Sequence, residues 1–250
     1  MSLLVDAKNV RLTYPRPQMG LRSLFKKREP MVPALDDVTF QLHTGDRLAL
    51  VGLNGSGKST LLRTIAGIYE PESGSIDVSG KIVALFNLGV GMRLDMSGRA
   101  NVMLLGMVAG CSQLEMQDLM PGILAFSGLE DVIDDPLHTY SQGMAMRLIF
   151  ATATELNPEI LLLDEWIGAG DRLFREKAEK RLEAIVSDSH GFILASHNTI
   201  IIQRYCTKGL WLDDGKIAAS GDIDEVLDIF VRETSRRAKE DEARLASRAA

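Results

Sequence analysis

The sequence has few of the features that mark a secreted protein. It contains only two cysteines, Cys111 and Cys206, which stand far apart and outside any C-x-x-C pattern. The first ten residues include Asp6 and Lys8, which is not typical of a secretory signal peptide. Because no disulfide framework is indicated, we expect a reduced, cytoplasmic setting.

Long apolar runs and an excess of positive charge are also missing. No apolar run reaches the length of about 18 residues that a membrane-spanning helix needs, so we expect any membrane role to depend on a partner. The chain of 250 residues has 28 Lys and Arg against 34 Asp and Glu, a net charge of −6. A general nucleic-acid binder carries the opposite balance, and we therefore expect no nucleic-acid partner.

What is present is an alternation of strand-like and helical segments. The pattern turns helical over about 96–155, with breaks expected at Gly110, at Pro121-Gly122 and at Pro136. Strands that alternate with helices, interrupted by one helical stretch, predict an α/β core with an inserted α-helical subdomain. We expect the main domain to span 1–235 and a charged C-terminal helix or tail to span 236–250.

A phosphate-binding loop is the most specific motif. Gly52, Gly57, Lys58 and Ser59 in "GLNGSGKST" fit the pattern G-x-x-x-x-G-K-[ST], between a predicted strand and a predicted helix. That context disfavours a chance glycine-rich turn. Lys58 is expected to reach the β- and γ-phosphates, and Ser59 to hold Mg²⁺. The residues that we expect to contact the nucleotide on this loop are Gly52, Asn54, Gly55, Ser56, Gly57, Lys58, Ser59 and Thr60.

Two further segments complete a nucleotide site. Asp164 ends the buried strand "ILLLD" and is expected to ligate Mg²⁺, while Glu165 beside it is expected to polarise the attacking water. An acidic pair at a strand end is a weak signal alone, but a magnesium nucleotide requires such a carboxylate. His197 follows the strand-like "FILAS" and is expected to reach the γ-phosphate; a structural role is the alternative. The predicted cofactors are ATP and Mg²⁺.

The order of these motifs resembles that in the nucleotide-binding subunit of ATP-binding cassette (ABC) transporters. It runs from Tyr14 through the phosphate loop, "SQGMAMR", "ILLLDE" and "GAGD" to "SHN", over roughly residues 4–225. The resemblance implies a P-loop NTPase core of the ABC ATPase type, with an N-terminal antiparallel β subdomain. It also implies a homodimer of ATPase subunits with separate transmembrane permease subunits, at the cytoplasmic face of the membrane.

Other site residues follow from the resemblance. Ser141 and Gly143 match the family's "LSGGQ" signature, which contacts the γ-phosphate held by the opposite subunit; the alternative is an ordinary helix start capped by Ser141. Tyr14 matches the aromatic residue that stacks on adenine; the alternative is a surface aromatic residue at a strand end. Asp171 matches the loop between the two sites of the dimer; the alternative is an N-cap of the following helix, and the two roles are compatible. The family's magnesium-sensing glutamine is missing, and Asn87 stands near its place.

Several variant motifs resemble one branch of that family, the exporters of O-antigen, capsular polysaccharide and teichoic acid. They include "LGVGM", "MSGRANV", "TYSQGMAMRL" and "DEWIGAGDRLFREK". We therefore expect a lipid-linked polysaccharide as cargo. Two alternatives stay open: a soluble ABC ATPase outside transport, and a nucleotide-gated regulator that does not hydrolyse ATP.

A basic insert after Tyr14 is also similar to that branch. Its apolar residues, Leu21, Leu24 and Phe25, stand at helical spacing among positive charges. Such an element suits lipid headgroups or an anionic lipid-linked substrate, and a solvated loop is the alternative. The positive charges of the insert are Arg16, Arg22, Lys26, Lys27 and Arg28.

Overall fold

The computed structural model describes residues 2–15, 31–86, 92–165 and 172–249. The chain divides into two compact units. The helical unit comprises Met1–Val5, Leu42–Arg47 and Val78–Leu194. The phosphate-loop unit comprises Asp6–Gln41, Leu48–Asp77 and Ala195–Ala250.

The strands of the described residues, in chain order, are β1 Leu3–Pro15, β2 Met31–His43, β3 Arg47–Val51, β4 Ser73–Val78, β5 Ile82–Leu85, β6 Ile160–Asp164, β7 Gly191–Ala195, β8 Lys208–Asp213 and β9 Lys216–Asp222. The helices are α1 Lys58–Ile65, α2 Gly98–Val108, α3 Gln113–Ser127, α4 Gln142–Glu155, α5 Arg172–Asp188, α6 Thr199–Tyr205 and α7 Ile223–Ala249. Within these residues, no helix is both long and apolar enough to cross a membrane.

In the phosphate-loop unit, β3, β8 and β9 are neighbours in that order. β3 pairs in parallel with β8, with Val51 opposite Trp211, and β8 pairs antiparallel with β9. A separate three-stranded sheet has the order β2, β1, β4. The parallel pair sets the direction in which β3 runs into the phosphate loop and α1.

In the helical unit, β5, β6 and β7 are neighbours in that order, and β5 and β6 are parallel. Every residue of β6 and β7 is buried, as expected for strands that are covered on both faces. Helices α2, α3 and α4 are inserted in the chain between β5 and β6. The predicted α/β fold with an inserted helical subdomain is therefore confirmed.

The helix break predicted at Pro121-Gly122 is wrong, since α3 continues through these residues. A proline inside a helix removes one backbone hydrogen bond and costs roughly 3 kcal/mol. Packing offsets this cost: Met116, Met120 and Ile123 of α3 are buried. Gly122 also lies directly against the Glu155 carboxylate of α4. Tertiary contacts thus override the local signal for a helix end.

An aromatic cluster joins three helices of this unit. Phe126, Phe150 and Phe174, from α3, α4 and α5, have ring centroids 5.7–6.1 Å apart. The Lys177 ammonium donates to the carbonyl oxygens of Ala125 at 3.2 Å and Phe126 at 3.0 Å, and so caps the C-terminal end of α3. Phe174 and Lys177 both belong to the branch motif "DEWIGAGDRLFREK", and the structure gives both a packing role.

Candidate nucleotide-binding site

The phosphate loop runs from the end of β3 to the start of α1. Gly57 is the N-cap residue of α1 and has a φ of 107°, a conformation that residues with a side chain rarely adopt. A Cβ at this position would lie 2.5 Å from the Ala34 carbonyl oxygen. Only glycine therefore fits at the point where the loop turns into the helix. Because glycine brings no side-chain acceptor, it does not itself cap the N–H groups that begin α1.

Lys58 places a buried cation inside the loop. Its ammonium donates to the carbonyl oxygens of Gly52 at 2.7 Å and Leu53 at 3.0 Å, and the residue is only 7% exposed. Asn54 and Gly55, at the tip of the same loop, are exposed. The loop therefore combines a fixed positive charge and a helix N-terminus with an open tip, which is an arrangement that binds phosphate.

Tyr14 lies beside the first turn of α1. The predicted stacking on adenine requires such a position near the phosphate loop. Its hydroxyl is 3.4 Å from the Thr60 hydroxyl, and its ring meets Tyr69 edge-on at 6.0 Å. Burial raises the pKa of Tyr14 above its usual value near 10. The residue is 37% exposed, and stacking on adenine stays a prediction.

His197 follows the end of β7 by two residues and is exposed. The turn that carries it is fixed by local hydrogen bonds. The Asn198 N–H donates to the Ser196 hydroxyl at 3.2 Å, and the Asn198 side chain accepts from Ile200 N at 3.0 Å to cap α6. The histidine therefore stands on a short, well-defined turn between a buried strand and a helix.

The acidic pair lies at the end of β6. Asp164 is the last residue of that strand and is 6% exposed, while Glu165 is half-buried. The φ of Glu165 is 66°, which is uncommon for a residue other than glycine and is found at functional turns. The backbone thus changes direction sharply between the two carboxylates.

The structure confirms that Ser141 caps α4. Its hydroxyl accepts a hydrogen bond from Met144 N at 3.2 Å. Ser141 and Gln142 are exposed and Gly143 is half-buried, whereas Ala145, Met146 and the residues 148–154 are buried. The start of α4 therefore projects from a helix whose body is packed in the core. The contact of Ser141 with a phosphate stays a prediction.

Two side chains that sequence reasoning missed hold the loops before α2 and α4. The fully buried Asn101 amide donates to the carbonyl oxygens of Arg93 at 3.0 Å, Met96 at 3.2 Å and Ser97 at 2.9 Å, and accepts from Arg93 N at 2.8 Å. The Tyr140 hydroxyl donates to Val132 O at 2.6 Å. Both belong to motifs that resemble the exporter branch, Asn101 to "MSGRANV" and Tyr140 to "TYSQGMAMRL".

Several predicted residues lie outside the described residues: Asn87, Asp171 and the basic residues Arg16, Arg22, Lys26, Lys27 and Arg28. Their assignments stay predictions. Of the remainder, the structure brings Tyr14 next to Thr60 in the phosphate-loop unit, which also holds Lys58 and His197. Asp164, Glu165, Ser141 and Gly143 belong to the helical unit.

Comparisons with known proteins identify the family of this chain. A family model described as ABC transporter matches residues 35–168. The O-antigen export system ATP-binding protein RfbE of Yersinia enterocolitica is 45% identical over 186 residues, which cover 74% of this chain and 78% of that protein. RfbB of Myxococcus xanthus, of the same description, is 38% identical over 82% of this chain and 48% of its own length.

The teichoic acids export ATP-binding protein TagH of Bacillus cereus is 34% identical over 91% of this chain. The match spans 42% of that protein, and so this chain corresponds to about half or less of the length of the last two relatives.

Solved structures show the same fold. The ATP-binding subunit of an ABC transporter superposes with a TM-score of 0.72 at 25% identity, over 91% of this chain and 93% of that chain. A dimeric ATP-binding cassette bound to ADP and phosphate gives a TM-score of 0.69 at 23% identity, over 88% of this chain and 99% of that chain. Because the family model covers more than half of the chain and the relatives cover most of it, the chain belongs to the ABC transporter family as an ATP-binding, ATP-hydrolysing protein.

Proposed function

We propose that this chain is the ATPase subunit of an exporter that moves a lipid-linked polysaccharide, O-antigen or a similar polymer, across the cytoplasmic membrane. The observation that carries the proposal is the 45% identity to an O-antigen export protein over most of both chains. We assign the passage itself to separate transmembrane permease subunits. The ATPase acts from the cytoplasmic face as a peripheral subunit.

The branch motifs support this choice of cargo class by their resemblance to the exporter branch, and three of their residues have a defined structural task. Asn101 fixes the loop before α2, Tyr140 fixes the loop before α4, and Phe174 packs α5 against α3 and α4. All three tasks lie within the helical unit. A relative that shares these motifs therefore shares the packing of this unit, as well as the nucleotide chemistry common to the family.

The local geometry supports the nucleotide roles that we propose. Lys58 and the N–H groups at the start of α1 bind the phosphates of ATP, and Tyr14 stacks on the adenine. We assign the Ser59 hydroxyl and the Asp164 carboxylate as Mg²⁺ ligands on their chemistry alone, because this ion prefers oxygen ligands and is usually bound by one or two protein groups together with phosphates and water. Among the described residues, no cluster of three or more His, Cys, Asp or Glu side chains forms a separate metal cage. When bound, Mg²⁺ neutralises charge on the phosphates.

Hydrolysis requires a second copy of the chain in this proposal. Two copies associate head-to-tail, so that Ser141 and Gly143 of one copy contact the γ-phosphate held by the other. The exposure of Ser141 at a rigid helix start supports this role. Glu165 then acts as the general base for the attacking water and His197 contacts the γ-phosphate. Asp171 links the two sites, and Asn87 stands in for the missing glutamine.

A second cargo is favoured by one observation, the 34% identity to a teichoic acid exporter over 91% of this chain. Teichoic acid and O-antigen are both long lipid-linked polymers. One mechanism of repeated ATP-driven steps therefore serves either cargo, and only the polymer recovered from the cell distinguishes them.

The experiment is deletion of the gene in its host, followed by separate measurement of surface polymer and of lipid-linked polymer inside the cell. We expect the surface polymer to be lost and the internal polymer to accumulate. Wild-type chain should restore export, while the matched Glu165→Gln chain should not. Chemical analysis of the accumulated polymer identifies the cargo. Normal surface polymer without internal accumulation, in a host with no second copy of the gene, would contradict the export proposal and leave the ATPase assignment intact.

A further inference from the structure

The phosphate loop is supported from behind by a tight turn between β8 and β9, the 213–216 turn. Asp213 and Lys216 are its paired ends, and the two residues between them have left-handed φ values, 46° at Asp214 and 78° at Gly215. An Asp-Gly pair with positive φ at both positions forms a turn whose twist matches that of a hairpin. The turn is therefore a stiff element of defined shape.

Gly215 joins this turn to the loop and to β2. Its N–H donates to the carbonyl oxygen of Ser56 in the phosphate loop at 3.1 Å, and its own carbonyl accepts from Asp36 N at 2.8 Å. A Cβ on Gly215 would lie 2.9 Å from the Ala34 carbonyl oxygen. The turn thus packs against β2 with no room for a side chain at Gly215, and it is joined to the loop by the hydrogen bond to Ser56, so a shift of the turn acts on that carbonyl.

The other end of the turn is held by the C-terminal helix. Both terminal nitrogens of the Arg237 guanidinium on α7 donate to the Asp213 carboxylate, at 2.9 and 2.7 Å. The same guanidinium lies 5.9 Å from the ring centre of the buried Trp211, which in turn packs edge-on against Phe230 of α7. This two-point pair fixes orientation as well as distance.

We propose that Arg237 is a positioning residue for ATP binding: it holds the 213–216 turn, and the turn holds the phosphate loop through Gly215 and Ser56. Every contact in this series lies within the phosphate-loop unit. A consequence is that any event that moves α7 changes the affinity of the loop for ATP. The role concerns the shape of the loop, and the chemical step is left to other residues.

The neighbouring Arg236 provides a matched control. It stands on the same helix and carries the same charge, but it pairs only with Glu233 and Glu240 of α7 in the described contacts. Arg237→Ala and Arg236→Ala therefore both remove an arginine side chain, but only Arg237→Ala removes a contact with the 213–216 turn. Arg237→Lys keeps the charge but loses the two-point geometry.

The measurements are KM and kcat for ATP hydrolysis, the Kd of a fluorescent ATP analogue, and the melting temperature without nucleotide. Partly exposed ion pairs have small effects, so we expect Arg237→Ala to raise KM and Kd about two- to fivefold, with kcat changed by less than about twofold. Arg237→Lys should lie between wild type and Arg237→Ala. Arg236→Ala should match wild type in all three constants.

A double-mutant cycle separates this role from a general loss of packing against Trp211. If Arg237 acts through Asp213, then Asp213→Asn combined with Arg237→Ala should raise Kd no further than either change alone. Two results would overturn the proposal. One is a Kd for Arg237→Ala equal to that of Arg236→Ala, even with a lowered melting temperature. The other is full additivity in the cycle.

Discussion

The phosphate loop and the first turn of α4 are both glycine-containing helix starts, yet the structure holds them in opposite ways. In the loop, Lys58 is buried and bonded to backbone carbonyls, and Gly215 contacts the loop from behind. At α4, Ser141 is exposed and bonds only to its own helix in the described contacts, and burial begins at Ala145. The phosphate loop is thus held by contacts inside its own unit, whereas the first turn of α4 exposes polar groups to solvent.

This difference separates two kinds of binding. A loop that is fixed before its ligand arrives binds without a large ordering cost, and so it suits the part of the site that captures ATP. An exposed turn on a buried helix suits a surface that meets a second molecule, because it keeps its position while its polar groups stay accessible. Variants of the two regions should therefore change affinity and turnover differently.

The largest expected effect separates ATP capture from the chemical step. Removing a positioned general base typically lowers rate by about 10² to 10⁴. Glu165→Gln should show a kcat decrease of that order and keep ATP affinity, because the phosphate loop is unchanged. Steady-state ATPase assays and a binding titration on the same protein check this. Near-normal turnover by Glu165→Gln would remove Glu165 from the mechanism.

The next largest effect tests whether the first turn of α4 contacts the nucleotide bound by a second copy of the chain. A hydrogen bond to a charged group contributes roughly 1.5–3 kcal/mol, so Ser141→Ala should lower turnover about ten- to a hundredfold, with little change in the affinity for ATP. Mixing Ser141→Ala chains with Lys58→Ala chains should restore part of the activity, because one composite site regains both groups. ATPase activity that is independent of protein concentration, with no rescue on mixing, would contradict a two-chain site.

The smallest effect concerns the edge of the loop. Stacking of an aromatic ring on a base contributes roughly 1–3 kcal/mol. Because Tyr14 is partly exposed, we expect its contribution to lie at the low end of this range. We expect Tyr14→Ala to weaken ATP binding about tenfold without lowering kcat. Tyr14→Phe is the control, since it keeps the ring and removes only the long contact with Thr60. Equal affinities for wild type and Tyr14→Ala would return Tyr14 to a surface role.

The regions that the sequence predicted well are those built from neighbours in the chain. Gly57, Lys58 and Ser59 form the loop through contacts that span only a few residues, and the cap of α4 joins Ser141 to Met144. The branch motifs were also visible as patterns. Their purpose was not, because Asn101 and Tyr140 bond to carbonyl groups of irregular loops, and no repeating sequence pattern gives the course of such a loop.

The sequence by itself determined the family, the α/β class, the order of the motifs and the residue types that bind phosphate, because glycine conformation, helix capping and strand burial are local properties. Only the tertiary structure decided that α3 passes through Pro121, where packing outweighs one missing hydrogen bond. It also decided that Gly215 supports Ser56 and that Arg237 reaches Asp213. Gly215 is far from Ser56 in the chain, and no local pattern encodes a contact that exists only once β3 and β8 have paired.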